Sequence, residues 1–333
     1  METRPLGKNG PAVSRIGLGC MGMSGLYGHA DDNESIRTIR AAFDAGINLF
    51  DTGDFYGMGH NEMLLEKALR DRPRDQFFLS VKFGGMRNPQ GAFIGVDARP
   101  AAVKNFLSYT LRRLGTDYVD LYQPARVDPN VPIEDTVGAI AEMIQAGYVR
   151  YIGLSEAGSK TIRRACLVHP VSALQIEYSI VSRGIEEDIL PTLRQLGMSL
   201  VAYGVFSRGL LTSRFPSRER SAQGDIRAHF PRFQGEHLKR NQPLISRLEK
   251  VARAAGLTVA QLAVAWVLSK GQDIVPLIGT KRPAQLAEAI QVLPRMLSAD
   301  EIGSIERAVP RGSVAGDRYG PEQMQALDSE RSP

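Results

Sequence analysis

Cysteine is scarce in this chain, and its scarcity excludes a good deal. Of 333 residues only Cys20 and Cys166 are cysteines, and neither stands at a metal-ligand spacing. Zinc chemistry and a disulfide framework are set aside, and a reducing, cytoplasmic setting is the expectation. Long apolar runs are missing too: none approaches the roughly 20 residues that a bilayer crossing takes. The opening Met1-Glu2-Thr3-Arg4-Pro5 lacks the charged-then-apolar order of a secretory signal, so no membrane association is expected. Charge of one sign is likewise in short supply. Basic residues number 41 against 36 acidic ones, a formal net charge of +5. They are scattered, apart from a mild grouping at Arg214, Arg218, Arg220 and Arg227. Nucleic-acid binding wants a concentrated basic stripe, so no nucleic-acid partner is expected. The small excess fits an anionic small molecule at least as well, and an ordinary solvated surface accounts for most of it.

What the chain does have is apolar sequence in regular order. At 43% hydrophobic it can bury a large core, and its length allows one large α/β domain or two medium ones. Strand-like runs end near Gly19, Asp51, Lys82, Tyr122, Leu154, Glu177, Tyr203 and Pro276. Helical patterns fall between them at 34–45, 62–70, 101–114, 134–146, 159–168, 187–196 and 243–255, with 259–269 and 283–290 after those. Strict alternation argues for a parallel sheet. Eight strands is also the number that closes into a barrel. The fold expected is therefore α/β, a (β/α)8 TIM barrel forming a single domain over 1–333. Residues 1–15 read as a β-hairpin turning at Lys8-Asn9-Gly10. Residues 204–242, after strand seven, form the longest connection, and a stretch that long in a compact domain is usually a lid or binding loop. Residues 311–333 show no periodicity and read as a mobile tail.

An open doubly wound sheet is the rival. It needs a glycine-rich phosphate turn after an early strand, and Ile16-Gly17-Leu18-Gly19-Cys20-Met21-Gly22 has that spacing. No acidic residue closes the next strand as a ribose ligand, because Asp51 runs into a different motif. A lone glycine pattern carries little weight.

That other motif holds the chemistry. Gly46-Ile47-Asn48-Leu49-Phe50 closes on Asp51-Thr52-Gly53-Asp54-Phe55-Tyr56-Gly57, and Phe77-Phe78-Leu79-Ser80-Val81 closes on Lys82. A carboxylate, a phenol and an amine at one sheet edge can form a proton-donating unit. Asp51 would hold Lys82 charged, and the ammonium would favour the phenolate of Tyr56, bringing its pKa down from about 10. Such an acid suits protonation of a carbonyl oxygen while hydride arrives at the carbon. An ordinary Asp–Lys pair beside a loop tyrosine is the plain alternative.

In a barrel, catalytic groups gather at the C-terminal rim of the strands. Here the chain resembles the aldo-keto reductases, nicotinamide-dependent carbonyl reductases built on a (β/α)8 barrel. The resemblance runs from Arg4 to about Ile305. It rests on the opening hairpin and on DTGDFYG at 51–57, SVKFG at 80–84, DLYQPARVDP at 120–129, IGLSEAG at 152–158, LQIEYS at 174–179, AYGVFSRGLLT at 202–212 and PLIGTKRPAQLAE at 276–288. It implies that Asp51, Tyr56 and Lys82 are three members of a catalytic tetrad, with Tyr56 the acid in reduction and the base in oxidation. The fourth member is normally histidine, and its position here holds Ala125. Loss of one positioned donor costs about 10²–10³ in rate on a substrate that uses it. Gln123, Arg126 and His60 are the nearby polar residues that would replace it.

The resemblance also implies the cofactor site. Tyr203 would stack on the nicotinamide, while Ser155 and Gln175 would hold its carboxamide. Arg208 would border the pyrophosphate. Gly279 and Thr280 would let the nucleotide approach, Lys281 with Arg282 would contact a 2′-phosphate, and Gln285 and Glu288 would face the ribose and adenine. NADPH (NADP+) is the cofactor expected, and the 213–240 loop is expected to fold over it. Phe55, Phe83, Gln123, Ala125, Arg126 and Phe206 are the candidate pocket wall. The function expected is reduction of small aldehydes or ketones. Two alternatives stay open: alcohol or sugar oxidation by the same residues, and an NADPH-binding accessory role like that of the potassium-channel β subunits.

Overall fold

The computed structural model describes residues 1–212 and 225–331. Arg214, Arg218 and Arg220 lie outside the described residues. The chain opens with an antiparallel pair, β1 (Thr3–Pro5) and β2 (Ala12–Ser14). The barrel strands are β3 (Gly17–Gly19), β4 (Leu49–Gly53), β5 (Phe78–Phe83), β8 (Val119–Pro124), β9 (Val149–Ser155), β10 (Val171–Glu177), β11 (Ser199–Tyr203) and β12 (Ile274–Gly279). All neighbours are parallel, and β12 pairs with β3 to close the barrel. A short ribbon after β5, β6 (Gly85–Arg87) with β7 (Phe93–Val96), stands on the rim. Crossovers are α1 (Asp32–Asp44), α2 (His60–Leu69), α3 (Pro100–Leu114), α4 (Ile133–Gln145), α5 (Ser159–Val168), α6 (Ile189–Leu196), α7 (Gly235–Ala254) and α8 (Val259–Ser269). After β12 come α9 (Pro283–Ile290), α10 (Ala299–Ala308) and α11 (Pro321–Gln325).

Sequence explains most of these elements directly. β4, β5 and β8 are buried at every position, because a parallel barrel strand faces side chains inside and helices outside. Such strands read as continuous apolar runs rather than alternating ones. Asp31 caps α1 by accepting from the Glu34 amide, and Thr258 with Gln261 forms a capping box at α8. The barrel interior is a small cluster of Leu49, Phe78, Leu121, Ala173, Val201, Val275 and Leu277, closed below by Leu6 and Val13 of the hairpin. Arg4 fastens that hairpin, donating to the Ile274 carbonyl at 2.8 Å.

Two expectations need correction. α7 begins at Gly235, not at Pro243, so the proline sits inside the helix rather than in its first turn. An interior proline removes one N–H bond and crowds the carbonyl four residues back, a cost of about 3 kcal/mol that burial of Leu244, Ile245 and Leu248 offsets. The segment after Pro310 does not stand off the barrel. Arg318 is buried in ion pairs and Leu327 is 1% exposed. A missing periodicity suggested mobility there, but this segment is fastened by charge and by single side chains, which leave no periodic trace.

Candidate active site

Asp51, Lys82 and Gln175 form a closed triangle near the upper end of the barrel bore. β4 and β5 pair Asp51 with Ser80 and Gly53 with Lys82, which brings both charged side chains to one level. Lys82 Nζ lies 2.5 Å from Asp51 Oδ1 and 2.9 Å from Gln175 Oε1. Gln175 Nε2 donates to Asp51 Oδ2 at 2.6 Å, and Ser80 Oγ donates to the same oxygen at 3.0 Å. Burial pushes the Lys82 pKa below the usual lysine range, and Asp51 opposes that push.

Tyr56 stands above the triangle, with Lys82 Nζ 5.3 Å from its ring centre. Its loop is held by Asn61, which takes a hydrogen bond from Thr52 and donates to the Cys20 carbonyl and to Ser24. Phe55 braces the ring edge-on at 4.8 Å. Among the described residues none hydrogen-bonds the Tyr56 hydroxyl, so it is free to meet a ligand. The sequence reading had Lys82 lowering the pKa of this phenol. The structure gives the opposite direction: burial raises it well above the usual tyrosine value, and Asp51 adds to the rise. Arg126 is the main cation acting downward.

The neighbourhood of Ala125 decides between the three replacements for histidine. Ala125 is 3% exposed and its amide donates to the Phe83 carbonyl at 2.8 Å. Gln123 is fully buried inside the barrel, where it donates to Ser80 Oγ at 3.0 Å, so it supports Asp51 and is not a wall residue. Phe83 is also fully buried, stacked on Tyr122 at 4.2 Å, and is core rather than wall. Every position of β5 and β8 is enclosed, which a sequence of strand ends alone does not reveal. His60 is turned away, bonded to Ser24 and Asp32. Arg126 remains, on the rim beside Tyr56. Phe55 and Phe206 are half-buried.

Across the rim lies a buried network that the sequence reading did not single out. Glu156 directly follows Ser155, with φ +54°, a conformation costly for glutamate. It takes two hydrogen bonds from Arg318, at 2.7 and 2.5 Å, and one from the Tyr203 hydroxyl at 2.7 Å. Burial alone would raise the Glu156 carboxyl, but Arg318 holds it down at about 2. Glu177, level with Tyr203 in the β10–β11 register, pairs with Arg208 at 3.0 Å and Arg232 at 3.3 Å. Arg208 is therefore committed to a carboxylate beneath the rings of Phe230 and Tyr319, not displayed as an open cation. Gln175 likewise spends both amide ends on Asp51 and Lys82 and would serve a ligand only by exchanging those bonds. Glu156 and Glu177 had a legible signal, since each is a carboxylate ending an apolar run. Arg318 and Tyr319 had none.

The expected phosphate end sits where β12 enters α9. A side chain added at Gly279 would meet open space, so the backbone there is accessible to a ligand. Thr280 Oγ1 donates to Gln285 Oε1 at 2.9 Å, and Glu288 lies one turn on along α9. Lys281 reaches the carbonyls of Gly28 and His29. Burial lowers the Lys281 pKa, and Arg227 and Arg282 lower it further. Arg227 is committed to Asp225, so Lys281 and Arg282, the latter 3.9 Å from Glu34, are the cations beside this open backbone that would meet a phosphate.

The sequence profile described as the Aldo/keto reductase family matches residues 15–310. The chain belongs to the aldo/keto reductase family. It is accordingly an NAD(P)-dependent oxidoreductase. A relative in Glycine max, named probable aldo-keto reductase 1, is 41% identical over 315 residues, covering 94% of this chain and 90% of that protein. The aldo-keto reductase yakc of Schizosaccharomyces pombe, whose name carries NADP(+), is 37% identical and covers 96% and 95%. The glycerol dehydrogenase AKR11B4 of Gluconobacter oxydans superposes with a TM-score of 0.84 at 28% identity, over 96% of this chain and 98% of its own. The holo form of aldo-keto reductase AKR11C1 from Bacillus halodurans gives 0.78 at 28%, over 93% and 96%. At the top of β8 the rim carries Ala125 and the guanidinium of Arg126.

Proposed function

We propose that this reductase converts small aldehydes or ketones to alcohols with NADPH, using Tyr56 as the proton donor. The observation that carries the reading is the unbonded Tyr56 hydroxyl set above the Asp51–Lys82–Gln175 triangle. When bound, the nicotinamide supplies the hydride. The elevated Tyr56 pKa keeps its proton in place at neutral pH, where the phenol donates it to the carbonyl oxygen as the alcohol forms. Lys82 and Arg126 then face the phenolate until solvent restores the proton. Ser155, at the top of β9 beside Gln175, is placed to take a carboxamide. Lys281, with Arg282 beside it, supports NADPH over NADH, because a 2′-phosphate would give Lys281 an anion in place of the Gly28 and His29 carbonyls.

Tyr56→Phe tests the assignment. Steady-state NADPH oxidation with an aldehyde panel is expected to fall by about 10²–10⁴. NADPH affinity, read by quenching of the single tryptophan's fluorescence, should stay within a few-fold of wild type. Turnover that survives the substitution sinks the role of Tyr56.

A further inference from the structure

The rim holds two guanidiniums that the reaction as described leaves without a full task. Arg126 leaves the end of β8 at Ala125, whose amide is bonded to Phe83 of β5, so it rises next to Lys82. Its Nη1 donates to the Ala125 carbonyl at 2.6 Å and its Nη2 is 3.5 Å from the Tyr319 hydroxyl. Arg87 comes from the β6–β7 ribbon, donating to the Gly91 carbonyl at 2.8 Å. Among the described residues neither forms an ion pair with a carboxylate, although most arginines around the barrel do. Both charges stand on the rim around Tyr56: Arg126 favours its phenolate, and that phenolate would favour the charged form of Arg87. Arg126 stays protonated despite burial, held so by Tyr319, Tyr203 and Glu156.

Arg126 is half-buried and bonded only to neutral oxygens, so its charge has no carboxylate to balance it beside the proposed proton donor, and a ligand anion would complete it. Neutral aldehydes offer nothing of that kind. A guanidinium also presents a planar fork that a carboxylate fits with two bonds. We propose that Arg126, with Arg87 as the second cation, binds a carboxylate on the substrate, so that the reductase prefers carbonyl compounds carrying a carboxylate. Arg126 would thus hold the substrate from the position next to the missing histidine, with Tyr319 of the C-terminal segment steadying the guanidinium. The proposal deepens the reading of Tyr56 as proton donor and rests on it for turnover, but not for binding.

The test pairs 4-carboxybenzaldehyde with benzaldehyde. In wild type the ratio of their kcat/KM values should favour the carboxylate by about tenfold or more. Arg126→Ala should collapse that ratio, through KM more than kcat, and Arg126→Lys should restore part of it. Benzoate should bind the NADPH-loaded wild type in a calorimetric titration and compete with 4-carboxybenzaldehyde, and should do neither in Arg126→Ala. A ratio near one in wild type overturns the proposal, as does one that Arg126→Ala leaves unchanged. No turnover of any carbonyl, with benzoate still bound through Arg126, overturns the reductase reading and leaves the anion site standing. If Arg126→Ala does not fold, the wild-type ratio and benzoate competition decide alone.

Discussion

Asp54, two residues before Tyr56, is the least comfortable residue near the site. Its Oδ2 accepts from the Gly84 amide at 3.2 Å, while its buried Oδ1 has no partner. Burial, with Glu62 close by, raises its pKa from 3.8 to about 7. The folded state thus takes up a proton that the unfolded chain does not hold between those values. Stability from this group is full below pH 3.8 and is lost as pH rises through about 7. Thermal unfolding between pH 4 and 8 should show a decline in wild type that Asp54→Asn flattens; an unchanged slope would assign the proton elsewhere. The same residue ties the Tyr56 loop to the end of β5 through its backbone, since the Asp54 amide donates to the Lys82 carbonyl at 2.9 Å. Among the residues proposed to react, Asp51, Tyr56 and Lys82 stand in motifs at strand ends, which state both identity and place. Their electrostatics were not legible there, because the depth of burial that lifts Tyr56 and depresses Lys82 is a property of the closed barrel.

At the scale of elements, the C-terminal segment is the piece that connects fold to site. Arg318 bonds Glu156 of the β9 loop and Glu330, and Ser329 donates to Glu156 at 2.8 Å. Tyr319, its neighbour, meets the Tyr203 hydroxyl at 2.8 Å. Removing Arg318 would leave Glu156 charged, buried and unpaired, at a cost of about 3–5 kcal/mol. Urea unfolding of Arg318→Ala should report that loss, and adding Glu156→Gln should recover much of it, because the isolated charge is what costs. A double variant no better than the single one would mean that packing, not charge, holds the segment. The β6–β7 ribbon and α10 share this illegibility in part. The ribbon is short and half-exposed, so it carries little periodic signal, whereas the Ser298–Glu301 capping box of α10 was available in the sequence and went unread.

For the molecule as a whole, two kinds of carboxylate pull stability in opposite directions with pH. Glu156, held at about 2 against an ordinary 4.5, contributes stability that is complete above pH 4.5 and lost as pH falls through about 2. Asp54 acts on the other side, so the melting temperature should peak in weakly acidic solution and fall both ways. Glu156→Gln should remove most of the acid-side fall, measured by calorimetry from pH 2.5 to 5; an unaltered acid limb would point to other pairs. The barrel itself was readable end to end, since alternation of apolar runs and amphipathic stretches survives any detail of the loops. What it encloses was not, because Ser80, Gln123 and Gln175 look like ordinary strand residues until closure points them at one another. That closure has a consequence for how such a chain can change. Asp51 on β4, Ser80 and Lys82 on β5, Gln123 on β8 and Gln175 on β10 are bonded across the bore, so the groups proposed to tune proton transfer are also struts between opposite walls. On the proposed reading chemistry and architecture draw on the same few bonds, and drift in substrate preference is left to the rim, where the side chains of Ala125 and Arg126 take no part in the bonds across the bore.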